Sequence, residues 1–137
     1  MSAFVDTSVL VRYLTADPPE MLDVARRIVD ETDPLVLTDV VLTESAFVLL
    51  SFYRVPRRAI VDGLVDLLHK ENVAVHGLDK DLAIRALLFC RDSGRVSFAD
   101  AMVWAAARSA AGATRSPATV YTFDQRFPSE GLDVRGG

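Results

Sequence analysis

The chain has 137 residues, half of them hydrophobic and a quarter charged, with a formal net charge of −4. That size suits one domain with a core of its own, and the composition excludes a disordered chain. No apolar run approaches the ~18 residues of a membrane span, and the acidic balance disfavours a non-specific nucleic-acid binder.

No basic stretch followed by an apolar block opens the chain, so a cytoplasmic protein without membrane attachment is expected. Cys90 is the single cysteine, which excludes an internal disulfide and a zinc-type cluster.

Ala3-Phe4-Val5 reads as a charge-free strand, expected in the middle of a sheet and covered on both faces. Asp6, Thr7 and Ser8 follow it, and a short helix is expected over Val9–Thr15. Asp17-Pro18-Pro19-Glu20 carries the marks of a helix start, with Asp17 as cap and the helix reaching Glu31. After Asp33-Pro34, Leu35–Leu37 is a second strand of buried type. Asp39 is read as the cap of a long helix over Val40–Arg54, apolar nearly all round. The next helix runs from Pro56 to Glu71 with Ile60, Leu64, Leu67 and Leu68 inward. Val73–Val75 is a third strand. Asp79 or Asp81 caps a helix ending near Gly94, and Ser97–Ala111 is an alanine-rich helix closed by Gly112. Thr119–Phe123 is a fourth strand, Leu132–Val134 a short fifth at an edge, and Gly136-Gly137 a frayed end.

Strands alternating with helices or helix pairs predict an α/β fold over residues 1–137. It has three layers, a mostly parallel sheet of four to five strands flanked by helices on both faces.

Four acids stand in apolar company. Asp6 ends a strand with no charge before it. Glu44 is the sole charged side chain between Asp39 and Arg54, and Asp100 the sole one between Arg95 and Arg108. Asp124 ends a strand uncharged from Ser116 onward. Asp6 and Asp124 are equally well read as caps of the turns that follow them. Asp100 follows Ser97 by three, the spacing of a capping box. Glu44 lies in mid-helix, on the face of Val41 and Phe47, where no cap explains it.

In a parallel α/β domain all four positions point to one edge of the sheet. Buried carboxylates gathered there need a counter-charge, and a hard divalent cation, Mg²⁺ or Mn²⁺, is the compensation that oxygen ligands suit. His69 and His76 lie elsewhere. Such a site fits phosphodiester hydrolysis. Thr7, Ser8 and Thr122 are candidates to hold ligands, water or phosphate; turn and strand chemistry explains them equally well.

Val5-Asp6-Thr7-Ser8-Val9-Leu10, Glu44, Ser97-Phe98-Ala99-Asp100-Ala101 and Thr122-Phe123-Asp124-Gln125-Arg126-Phe127 together resemble the PIN-domain nucleases. Size and spacing resemble, within them, the VapC-like toxins of toxin–antitoxin pairs. The resemblance implies a Mg²⁺- or Mn²⁺-dependent endoribonuclease that acts on cellular RNA. It further implies a homodimer and inhibition by a cognate antitoxin. Its acidic site falls on Asp6, Glu44, Asp100 and Asp124, as metal ligands and catalytic groups. Many members carry a further acid or amide one turn after the third acidic position, where this chain has Val103, so a second metal is not implied.

The apolar surplus on the third helix (Phe47, Leu50, Phe52, Tyr53) and the next (Ile60, Leu64) suggests a groove for an antitoxin or a dimer mate. Arg54, Arg57 and Arg58 beside it are candidates to meet RNA or an acidic segment. Two alternatives stand against the toxin: an RNA-processing nuclease without an antitoxin, and a degenerate PIN scaffold that only binds. A receiver-like module fits less well, because Asp6 stands alone after the first strand and the last lysine is Lys80.

Overall fold

A computed structural model describes residues 2–112, 114 and 116–136. The elements are β1 (Ala3–Phe4), α1 (Thr7–Thr15), α2 (Pro19–Glu31), β2 (Leu35–Leu37), α3 (Asp39–Ser51) and α4 (Arg57–Leu68). They continue with β3 (Val73–Val75), α5 (Lys80–Phe89), α6 (Phe98–Ala111), β4 (Thr119–Tyr121) and β5 (Asp133–Arg135).

Among the described residues the pairing is parallel throughout: helix pairs connect β1 to β2 and β2 to β3, and a segment without a helix connects β4 to β5. The strands nevertheless do not form one sheet of four to five. They form a three-stranded sheet in the order β1-β2-β3 and a separate pair, β4-β5. In register, Ala3 pairs with Leu35 and Leu35 with Val73, while Thr119 pairs with Asp133.

This arrangement corrects the placing of the first strand. β1 is a two-residue edge strand, and Phe4 is 59% exposed. The fully buried strand in the middle is β2. Freedom from charge is compatible with either position, and Phe4 covers part of its ring against His76, edge to face at 5.6 Å.

Most helices fall where periodicity puts them, but their ends differ. α2 begins at Pro19 with Pro18 in the cap position and no side-chain cap bond; Asp17 instead accepts a hydrogen bond from the Tyr53 hydroxyl at 3.2 Å. α3 is capped by Thr38, whose hydroxyl oxygen accepts from Val41 N at 3.1 Å, and not by Asp39. It stops at Ser51, and Arg54 takes a positive φ of 54°. Asp79, rather than Asp81, caps α5 by accepting from the Asp81 and Leu82 amides.

The core joins Leu10 and Val29 with Leu35 and Leu37, and reaches across α3, α4, α5 and α6 to Trp104. Ile60 and Leu64 are 2% and 0% exposed, so the apolar side of α4 is core and not part of a groove. Trp104 is fully buried, donates to the Glu130 carbonyl at 2.9 Å and packs edge-on against Phe89 at 4.7 Å, tying α6 to the C-terminal segment.

Gly136 is not a frayed end, while Gly137 lies outside the described residues. The φ of Gly136 is +129°, a region L side chains rarely adopt, and a Cβ there would collide with the Thr122 backbone.

Candidate functional site

Asp6 follows β1 and caps α1. Its Oδ2 accepts from the Ser8 hydroxyl at 2.9 Å and the Ser8 amide at 3.3 Å. These bonds, the hydroxyl first, hold the exposed carboxyl below the ordinary aspartate range. Cap and site are therefore not rivals here: one carboxylate oxygen serves the helix and the group remains ionised at its surface. Thr7 beside it is buried.

Glu44 emerges from the middle of α3 beside exposed Phe47. Among the described residues its carboxylate has neither a hydrogen-bond nor an ion-pair partner. The same is true of Asp100, which is half-buried in the first turn of α6. Ser97 caps that helix by accepting from Asp100 N at 3.0 Å. The reciprocal half of a capping box is missing among the described residues, as expected of an acid one methylene shorter than glutamate.

Asp124 is engaged: its Oδ1 accepts from Arg126 N at 2.8 Å and lies 3.7 Å from Arg126 Nε. The Asp124 amide donates to Thr122 Oγ1 at 3.0 Å, so Thr122 braces this turn. Apolar sequence around the four acids therefore does not bury them. Asp6 and Glu44 are exposed and Asp100 and Asp124 half-buried, so burial alone does not call for a counter-ion.

Asp6 and Glu44 line one depression of about 390 Å³, together with Thr7 and Ser8. Glu44 also borders a second, mostly apolar depression of about 520 Å³ between α3 and α6, lined by Phe47 and Val103. Thr122 and Asp124 line a third hollow of about 200 Å³, closed by Gly136. Among the described residues no three His, Cys, Asp or Glu side chains lie close enough to hold a metal ion.

The donor set still suits Mg²⁺ or Mn²⁺. Its donors are hard carboxylate oxygens, and Glu44 and Asp100 are unengaged among the described residues. Mg²⁺ commonly binds through one or two carboxylates, with water and substrate phosphate completing its shell. Asp6 and Glu44 meet that minimum.

Sequence reasoning overlooked Arg12, which lies beside these two acids in the same depression. Its signal was the spacing from Ser8, one helical turn earlier, whose carbonyl accepts from Arg12 Nη1 at 2.9 Å. Gly136 was missed because a terminal glycine gives no sign of what packs against it.

The PIN domain profile matches residues 3–129, and the chain belongs to the PIN-domain family. No curated protein and no solved structure matched it. PIN domains are generally Mg²⁺- or Mn²⁺-dependent nucleases, typically ribonucleases. No helix among the described residues is long and apolar enough to cross a membrane.

Proposed function

We propose that this chain is a divalent-metal-dependent endoribonuclease of the VapC-like toxin type, folded as one nuclease domain over residues 1–137. It acts in the cytoplasm on cellular RNA and is held inactive by a cognate antitoxin. The observation that carries the nuclease reading is the shared depression of Asp6 and Glu44, two ionisable oxygen donors open to solvent in a PIN chain. The toxin reading is supported by size and by the order and spacing of the four acids.

Asp6 and Glu44 would hold the cation, with Asp100 and Asp124 as the further acids of the site. Mg²⁺ or Mn²⁺, when bound, supplies an acidified water and positive charge for the leaving oxygen. Ser8 holds Asp6 in place, Thr7 next to it is buried, and Thr122 braces the Asp124 turn. The face of α3 and α6 that carries exposed Val40, Phe47 and Val103 is the surface for a second copy of the chain or for the antitoxin.

The test is metal-dependent cleavage of total cellular RNA with the cut ends mapped. Cleavage that needs Mg²⁺ or Mn²⁺ and stops in EDTA supports the reading; full activity in excess EDTA overturns it. A PIN scaffold that only binds draws support from the lack of three converging ligands among the described residues. Absence of both cleavage and Mn²⁺ binding in calorimetry would favour it.

A further inference from the structure

The depression that holds Asp6 and Glu44 has a second half that the acids do not use. Phe52, just past the end of the apolar helix α3, is 76% exposed. Tyr53 braces it edge to face, ring centres 5.1 Å apart, and Tyr53 is itself tied to Asp17 through its hydroxyl. The Phe52 ring is thus steadied while most of it stays in water. Arg12 lines the same depression and, among the described residues, is the one cation that does. It is half-buried and fixed to the Ser8 carbonyl, and among the described residues it pairs with no carboxylate despite two in the same depression.

An open aromatic ring, an unpaired guanidinium and a volume of about 390 Å³ are the parts of a site for one unpaired nucleotide. The ring offers a stacking face to any base, and the guanidinium forks a phosphate. An apolar peptide would use the ring but would leave the arginine without a partner. A duplex would have no unstacked base for the ring.

We propose that Phe52 and Arg12 form a nucleotide subsite for single-stranded RNA beside the reacting phosphodiester. Phe52 stacks a base and Arg12 holds the adjoining phosphate. The proposal rests on the nuclease reading above and names the two side chains that hold one nucleotide of its RNA.

The experiment uses the full chain carrying Asp100→Asn in Mg²⁺, with single-stranded RNA octamers that bear 2-aminopurine at successive positions. Binding should quench fluorescence at one position. Phe52→Leu should abolish that quench and weaken binding about tenfold or more, whereas Phe52→Tyr keeps both. Arg12→Ala should weaken binding and flatten the salt dependence, by about 0.7 in the slope of log K against log salt. Both side chains lie at the surface of the depression, and superimposable melting curves verify that the variants are folded.

RNA binding and quenching untouched by either substitution overturn the proposal while leaving the nuclease reading intact. The same result with loss of inhibition by a protein partner assigns the depression to that partner, and also overturns it. If the unaltered chain neither binds nor cleaves RNA, the nuclease reading fails and the subsite fails with it.

Discussion

The Arg57 guanidinium lies 4.8 Å above the centre of the Phe98 ring. Its Nη1 also donates to the Cys90 and Val96 carbonyls at 3.3 and 3.2 Å. One side chain at the start of α4 therefore fastens the end of α5 to the entry of α6, two residues before Asp100. Arg57→Ala should cost about 2–4 kcal/mol in chemical denaturation, because the lost bonds carry charge and the ring loses its cation. Arg57→Lys should recover only part, since an ammonium cannot bridge two carbonyls with the same fork.

Asp6→Asn and Asp100→Asn should each abolish RNA cleavage. Melting temperatures should stay within a few degrees, because the Asn side chain still caps α1 at residue 6 and Asp100 has no bond to lose among the described residues. Glu44→Gln should behave in the same way. Cleavage assays beside thermal melts check this, and retained activity in the folded variants would remove these acids from the site.

Phe47→Glu or Val103→Glu should abolish self-association in analytical ultracentrifugation without lowering the melting temperature. Both residues are exposed on the apolar depression between α3 and α6, so a charge there faces water in the monomer and an apolar partner in a dimer. A dimer that survives both substitutions would place its interface elsewhere.

Gly136→Ala should destabilise the β4-β5 pair by about 1–3 kcal/mol, through both the positive φ and the collision with Thr122. Because Thr122 braces Asp124, cleavage should fall along with stability, whereas Gly94→Ala, which meets open space, should change neither.

Burial pushes the Cys90 thiol up to about 11 from an ordinary 9.0. The folded state then holds a proton that the unfolded chain releases first. This contribution is complete below pH ~9 and is lost as pH rises towards ~11, by about 3 kcal/mol at most. Cys90→Ala should flatten that part of the stability–pH curve, whatever it does to the level. At neutral pH the thiol should resist alkylation until the chain unfolds.

The sequence was most legible where a residue acts on its immediate neighbours. Ser97 capping α6 and the inward row Ile60, Leu64, Leu67, Leu68 follow from local bonds and helical spacing, and the structure holds them; of the two caps open for α5 it takes Asp79. It was least legible where the outcome depends on a distant partner. Ala3-Phe4-Val5 is as uncharged as a middle strand, yet whether β4 pairs with it is settled far along the chain. Apolar surroundings in sequence likewise misjudge Glu44: on α3 the apolar residues face opposite ways, Leu42 and Ala46 inward, Phe47 out, and the acid goes with the outward side. The family was legible in the sequence and the profile bears it out, but the placing of Asp6, Glu44 and Asp124 around three separate hollows was not legible.

The shortness of β1 has a consequence for how this chain behaves in a crowd. Beyond β2 its outer flank is unpaired among the strands described, and such a flank can template the backbone of another molecule. Only Ala3 and Phe4 are available to recruit a neighbour before Asp6 turns the backbone into α1. The carboxylate that lines the depression with Glu44 also ends the edge, so a substitution that let the strand run on would trade that acid for a sticky border.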